Sequence, residues 1–565
     1  MNREYYYSRN NAIINYTTKY CRTVDDLLAS EGFSSFLDLF FAHIEKKKHD
    51  MYQWLTFKAG VEEAKEELTR LAKLLMVLDV QEIRHPGLIE PDKLLDVIET
   101  AYHFWRGMGR YSIMYANNDE GYQIQNFIDA DTKFNELVLN FYRTIQQKVQ
   151  GTQNKIFRQL QAGTNASILL QKYDLDLPLG YEALKGIPFI TEMMLRTPLI
   201  LHPKSNKRLG MFEETFNHPM KDFIRNGDDW ICYPCKVGDL LTFAYFHIDF
   251  IGNIIACPNL FEIATKTECL NRKPDCIVLF GNPDGKGDTT FYHDKKENIW
   301  IGKISSEDVI EYFGYVKKMF LTLHNLAVMQ RGWLPIHGAM VKLYLRDGRE
   351  KNVMFMGDSG AGKSETIEAL STISKGIIDR QEVIFDDMGS IHIDNRGNIV
   401  AQGTEIGAFV RLDDLEMGSA YRDMDRSVFF NPELSNARVV VPTAPYKVIV
   451  NNHHIDCFMY ANNYTDKRGL SQFKTVEEAK PVFVEGKRNA LGTTQEVGLS
   501  TTFFANPFGP MQRQEIAMPL IDKMFDKLFE KEIFVGEIYT CLGLPDKGCD
   551  GILDAARALL DFVQN

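Results

Sequence analysis

The segment Gly357-Asp358-Ser359-Gly360-Ala361-Gly362-Lys363-Ser364 constrains the fold of this chain more than any other. It has the form G-x-x-x-x-G-K-[ST], a phosphate-binding loop. The apolar run Val353-Met354-Phe355-Met356 precedes it and reads as a buried strand. Ser364-Glu365-Thr366-Ile367-Glu368-Ala369-Leu370 follows and reads as a helix start. Strand, glycine turn and helix N-terminus together aim backbone N–H groups and a helix dipole at an anion. Gly357, Gly360 and Gly362 shape the loop, Lys363 reaches the β- and γ-phosphates, and the Ser364 hydroxyl meets a divalent metal. Nucleotide binding is the first expectation.

Composition sets the class. The 565 residues suffice for two to four domains, and a charged share of 25% with 45% hydrophobic residues is that of a soluble globular protein. A net charge of −12 without long basic runs argues against nucleic-acid binding. Met1 to Tyr7 lacks the apolar core of a signal peptide, and no apolar run reaches the ~20 residues of a membrane span. The expectation is a cytoplasmic enzyme. The nine cysteines lack framework spacing. Cys232 and Cys235 form a lone C-x-x-C, read as small buried hydrophobes rather than half a zinc site.

The texture changes along the chain. Residues 1–180 read as a largely helical domain, with an apolar face at Val61, Ala64, Leu68, Leu71 and Leu75. A second helix opens at Pro91, and a third runs over 130–150. Residues 181–330 read as a mixed α/β substrate-side domain, and 331–565 as the nucleotide-binding domain. Strands are expected at 240–246, 276–280, 340–345, 384–385, 439–441 and 448–450, and helices at 306–329, 511–529 and 552–563. The fold class is α/β, an α+β mixed sheet behind a helical region.

Chemistry concentrates between residues 312 and 438. Asp386-Asp387 follows the apolar Val383-Ile384-Phe385, so a strand ends in two carboxylates suited to metal binding or base catalysis beside phosphates. Upstream lie His337, in Ile336-His337-Gly338, and the pair Lys317-Lys318 after Tyr312. Spacing alone gives neither a role.

In order and spacing, these segments resemble the nucleotide-binding half of ATP-type phosphoenolpyruvate carboxykinases over about 310–510. They are Tyr312 with Lys317-Lys318, Ile336-His337-Gly338, the 357–364 loop, Asp386-Asp387, Asn436-Ala437-Arg438 before Val439-Val440-Val441, and Gly492-Thr493-Thr494 leading to Phe503–Gly509. The resemblance implies a carboxykinase-like P-loop domain using ATP, Mg²⁺ and Mn²⁺. It implies Lys318, His337 and Asp387 as Mn²⁺ ligands, the lysine deprotonated to serve. Ser359, Lys363 and Ser364 would hold the phosphates and Mg²⁺. Arg438 would offset charge on the transferring phosphoryl group, with Lys317 on the substrate side and Tyr312 positioning the substrate. Glu405 and Arg411 match positions near the nucleotide.

The chain also departs from that family. The oxaloacetate motif Gly-Arg-Ser-Pro-Lys-Asp-Lys is missing; the nearest segments are Leu195-Arg196-Thr197-Pro198, which offers Arg196 to the substrate, and His202 to Arg208. Gln495 stands where the family carries an arginine on the nucleotide side. Ser364-Glu365 is closer to HPr kinase, of the same superfamily, which shares a His-Gly segment and an Asp-Asp pair. Three functions follow: a carboxykinase acting on oxaloacetate, a kinase for another hydroxyl with Asp386 or Asp387 as base, and a nucleotide sensor without turnover. Neither a membrane nor a nucleic-acid partner is expected.

Overall fold

The structure is a computed structural model that describes residues 3–57, 60–83, 90–116, 122–157, 161–358, 360–374, 376–412, 424–491, 497–545 and 547–564. It is a mixed α/β architecture. Among these residues, twelve strands form one mixed sheet, eight form a second, and four form a small third sheet.

The second sheet builds the site. Its order is His453–His454, Ile399–Gly403, Ile378–Ile393, Leu334–Leu345, Glu350–Met356, Cys457–Asn462, Phe534–Tyr539, Gly469–Gln472. Leu334–Leu345 runs antiparallel to both Glu350–Met356 and Ile378–Ile393. Cys457–Asn462 runs parallel to Glu350–Met356 and to Phe534–Tyr539. Alternation along Glu350–Met356 divides the core in two. Val353 and Phe355 face the helices Lys363–Ile373 and Gly548–Gln564 through Leu370, Ala556 and Leu559. Met354 and Met356 face Val476–Glu485 and Gln514–Glu530 through Phe483, Met524 and Phe525. A sheet covered on both sides leaves the carboxyl ends of its parallel strands as the open edge, where ligands bind in such folds.

Register brings distant segments together at that edge. Gly338 pairs with Met356 on one side and Asp387 on the other, while Ala339 pairs with Asp386. The loop, His337 and the acid pair therefore meet although 50 residues of sequence separate His337 from Asp387. Gly338 permits this approach, since a Cβ there would lie 2.0 Å from the Phe355 carbonyl oxygen.

The helix Gly314–Gln330 is buried along nearly its whole length. It packs against the strands Cys276–Asn282 and Ile299–Ser305 of the first sheet and against Leu334–Leu345 of the second. An all-round apolar helix belongs in the interior. This one carries Lys317 and Lys318 between the two sheets.

Two expectations are corrected. Residues 1–180 are largely helical, as expected, but do not form a separate helical domain. They do hold Val61–Leu75, with Ala64, Leu71 and Leu75 buried and Val61 and Leu68 half-buried, together with Pro91–Arg106 and Tyr122–Gln150. They also hold four strands, Tyr5–Ser8, Asn11–Asn15, Gly109–Tyr115 and Ala166–Gln171, which begin the twelve-stranded sheet. That sheet crosses the expected boundary at 180, because Ala166–Gln171 pairs antiparallel with Phe189–Leu195. Ala166–Gln171 is buried on both faces and so shows no alternation to mark it as a strand. The second correction concerns Val448-Ile449-Val450, which lies in a one-turn helix, Tyr446–Val450. Pro445 at its N-cap and a Val448 N–H bond to the Pro445 carbonyl turn the chain there, and only Ile449 is buried.

Cys232 and Cys235 sit three positions apart on the strand Trp230–Val237, so their thiols enter different apolar clusters. The eight cysteines whose side chains are described are buried and free, and no helix among the described residues is long and apolar enough to cross a membrane.

We predict that Gly338→Ala prises the Leu334–Leu345 strand from Glu350–Met356 and costs about 3 kcal/mol or more. A melting temperature equal to the parent's contradicts the packing described here.

Candidate functional site

The phosphate loop leaves the Glu350–Met356 strand and enters the Lys363–Ile373 helix. The Gly357 N–H donates to the His337 carbonyl at 3.0 Å, which fixes the loop to the neighbouring strand. Gly360 and Gly362 have φ of 79° and 94°, values that side chains resist. At Gly362 a Cβ would also lie 2.7 Å from Thr540. The Lys363 ammonium donates to the carbonyls of Gly357 (2.7 Å) and Asp358 (3.1 Å), which hold it over the loop. The Ser364 hydroxyl donates to Asp386 Oδ1 at 3.0 Å. Ser359 lies outside the described residues.

Beside the loop, one carboxylate gathers three partners on two oxygens. Asp387 Oδ2 takes Lys317 Nζ at 2.6 Å and Lys318 Nζ at 3.2 Å, while Oδ1 faces His337 Nε2 at 3.0 Å. His337 Nδ1 lies 2.7 Å from the Ala505 carbonyl, which can only accept, so Nδ1 is a donor; Nε2 makes the contact with Asp387 Oδ1. Asp387 holds this position at φ +100°, strained for a non-glycine residue. Lys317 also lies 3.4 Å from the buried Glu405.

The protonation states divide along this row. At Asp387, burial is outweighed by Lys317 and Lys318, which hold the carboxyl well below its ordinary range. At Asp386, burial and then the charge of Asp387 raise it. Burial lowers Lys318, with Lys317 adding repulsion against the attraction of Asp387. Lys317 is raised, since Asp387 and Glu405 together exceed the burial penalty. Burial, opposed by Lys317 and helped by Asp387, pushes the Glu405 carboxyl up to about 7. Neither Glu405 oxygen has a hydrogen-bond partner among the described residues.

The donor set suits a divalent cation. Lys318, with its affinity for protons reduced, and His337 Nε2 lie 3.2 and 3.0 Å from the two oxygens of the ionised Asp387. Among the described residues no three His, Cys, Asp or Glu side chains form a metal cage, so this set depends on its lysine. Ser364 and Asp386 offer a second oxygen pair on the phosphate side.

Near this row the structure gathers cations on aromatic rings. Tyr312 is buried, with its ring 5.8 Å from that of Phe409. Burial raises its hydroxyl, while Arg438, Lys317 and Arg208 pull it down. Arg438 stacks 5.6 Å from Phe409, and its Nη2 donates to Asn436 Oδ1 at 3.0 Å. Arg411 faces Arg438 across the paired strands Gly407–Arg411 and Arg438–Pro442. The Arg208 guanidinium lies 5.6 Å from the Phe508 ring, and Lys318 Nζ lies 4.6 Å from the same ring. Burial lowers Arg208.

Thus Lys317, Lys318, His337, Lys363, Ser364, Asp386, Asp387 and Glu405 come together, with Tyr312 and Arg438 opposite. Arg196 does not join them. Its Nε and Nη2 bond Asp131 at 2.9 and 2.5 Å, and the buried Asp131 also accepts from Thr164 and Ser167. Its geometry is that of a structural ion pair; in the neighbouring segment it is Arg208 that lies over the Phe508 ring, which Lys318 also approaches. Sequence reasoning also missed Asp358, inside the loop, which lies 3.0 Å from Arg488 and 3.6 Å from His337 Nδ1. No periodicity marks such a loop position; only its place between two glycines of the motif draws attention to it. Gln495 lies outside the described residues.

No protein-family model matches the chain, and no curated protein matches it in sequence.

Glu405 gives a stability prediction. Its carboxyl titrates near 4.5 when unfolded and at about 7 when folded, so the folded chain keeps a proton that the unfolded chain releases. Stability therefore falls as pH rises through that window. In metal-free buffer, Glu405→Gln should gain up to about 3 kcal/mol on the parent above about pH 7 and match it near pH 5. Melting curves at both values check this; a variant less stable at high pH contradicts it. Arg196→Met should lower the melting temperature by about 3 kcal/mol equivalent, leaving Asp131 unpaired, without altering nucleotide affinity.

Proposed function

We propose that this chain is a carboxykinase-type phosphotransferase: oxaloacetate loses CO₂ and the resulting enolate oxygen takes the γ-phosphoryl group of ATP, giving phosphoenolpyruvate and ADP. The observation that carries this reading is the division of labour between adjacent acids. Asp386 is hydrogen-bonded to Ser364 on the phosphate side, and Asp387 is bonded to Lys318 and His337 on the acceptor side. Two neighbouring carboxylates would thereby hold two cations, Asp386 one beside the phosphates and Asp387 one toward the acceptor, such as Mg²⁺ and Mn²⁺.

The chain's own residues do the following. Lys363 and the loop N–H groups bind the β- and γ-phosphates. Lys317, held charged by Asp387 and Glu405, and Arg438, lying over the Phe409 ring, face the transferring group and offset its charge. Arg208, seated on Phe508, orients an acceptor carboxylate. Tyr312 closes the apolar side against Phe409. A cation on Lys318, His337 and Asp387 would supply Lewis acidity toward the negative charge that develops on the acceptor. Because both sides of the site are cationic, an anionic acceptor fits it better than an uncharged hydroxyl.

A second reading, a kinase for another hydroxyl, draws on Asp386. Burial and Asp387 raise its proton affinity, which suits a general base.

The assay is phosphoenolpyruvate formation from ATP, oxaloacetate and Mn²⁺ by the purified protein. We expect product from the parent, at least about 100-fold less from Asp387→Asn, and ATP affinity about 10- to 100-fold weaker in Lys363→Ala. Absence of product together with phosphorylation of a serine or small-molecule hydroxyl would overturn the carboxykinase reading in favour of the kinase. Normal ATP affinity in Lys363→Ala would overturn both.

A further inference from the structure

We propose that Asp358 and Arg488 form a buried charge pair that divides the affinity of the site between nucleotide and cation. Asp358 is a positioning residue that acts through His337 to strengthen cation binding, and Arg488 offsets the Asp358 charge for the phosphates. The inference rests on the phosphate and cation sites proposed above.

Position is the first argument. Asp358 is the second residue of the phosphate loop, and its main chain and side chain face different partners. The carbonyl accepts from Lys363 Nζ at 3.1 Å, within the loop. The carboxylate is buried and turns elsewhere: Oδ2 lies 3.0 Å from Arg488 Nε, and Oδ1 lies 3.6 Å from His337 Nδ1. One side chain thus stands between the phosphate loop and the ring whose Nε2 meets Asp387.

The second argument is how the neighbours are held. Arg488 belongs to the strand Lys487–Leu491, which pairs with Val497–Thr501 and sets Arg488 opposite Ser500. Asn463 ties this hairpin to the loop. Its Oδ1 accepts from the Asn489 N–H, and its Nδ2 donates to the carbonyls of Asn489 and Gly360, each at 2.9 Å. Past the hairpin, the Thr502 hydroxyl donates to Asp358 Oδ2 at 3.4 Å, and the Ala505 carbonyl accepts from His337 Nδ1. Phe504 and Ala505 hold φ of 51° and 44°, conformations that persist only where the surroundings over-determine them. One short segment therefore fixes both Asp358 and His337.

Charge is the third argument. A carboxylate within an anion-binding loop repels the ligand of that loop, and burial leaves the repulsion poorly screened. The Arg488 guanidinium, itself buried, offsets it. The same negative charge beside Nδ1 makes the imidazole a better ligand at Nε2, as carboxylates behind metal-bound histidines do. Asp358 therefore favours the cation and disfavours the phosphates, and Arg488 does the reverse.

The test uses the full-length protein and two equilibrium titrations. MgATP is followed by calorimetry without Mn²⁺, and Mn²⁺ by electron paramagnetic resonance without nucleotide. Asp358→Asn should bind MgATP about 3- to 10-fold more tightly and Mn²⁺ about 10-fold more weakly. Arg488→Gln should weaken MgATP about 3- to 10-fold and leave Mn²⁺ bound no more weakly than in the parent. The double variant carries a neutral pair. It should return MgATP to within about 2-fold of the parent while Mn²⁺ stays weak, and it serves where a single variant fails to fold, with melting temperature as the control. A structural role alone would weaken both ligands together, so that result in folded Asp358→Asn overturns the inference. Mn²⁺ affinity unchanged in the folded Asp358→Asn or double variant also overturns it. A parent that fails to bind MgATP or Mn²⁺ is a different result: it overturns the sites proposed above, and this inference with them.

Discussion

The carboxylate of Asp387 is the interaction on which the functional half of this molecule depends. It neutralises two lysines on a helix that is otherwise apolar and buried, Gly314–Gln330, and it receives His337 from the adjacent strand. A buried lysine without an anion is costly, so the helix can sit between the two sheets only because Asp387 stands opposite it. Asp387 keeps its place in the strand, paired with Gly338, at a positive φ that a non-glycine residue adopts only at a cost. Removing one partner leaves the others as uncompensated charge, which is why geometry and function are coupled so tightly here.

The same cluster differentiates chemically similar groups. Lys317 and Lys318 are neighbours on one helix, yet one is raised by its two acids and the other lowered by burial and by its neighbour. Asp386 and Asp387 are neighbours on one strand, and they also diverge. Pairs of titratable groups pushed apart by their surroundings are characteristic of catalytic sites. That pattern supports a reactive site over a merely nucleotide-binding one.

The loop and its immediate chemistry were legible in the sequence because the requirement is local: glycine torsions, a lysine and a hydroxyl at fixed spacing. The acid pair was legible because it ends an apolar run. What escaped depends on tertiary register. Asp358 acquires importance only through Arg488 and His337, which reach it from other strands. Arg196 and Arg208 lie twelve positions apart in equally polar segments, and only packing assigns the first to Asp131 and the second to Phe508. The strands of the N-terminal region were hidden for a related reason. Ala166–Gln171 is buried on both faces, so the two-residue period that betrays a half-buried strand is absent.

The central claim is that Lys318, His337 and Asp387 act together as one cation site. Electron paramagnetic resonance of Mn²⁺ titrated into the full chain tests it most directly, with the parent compared with Lys318→Met and His337→Phe. The account predicts one bound Mn²⁺ in the parent that is weakened at least about 10-fold in each variant, with the nucleotide-linked metal still bound when ATP and Mg²⁺ are added. Mn²⁺ affinity unchanged in both folded variants would contradict it.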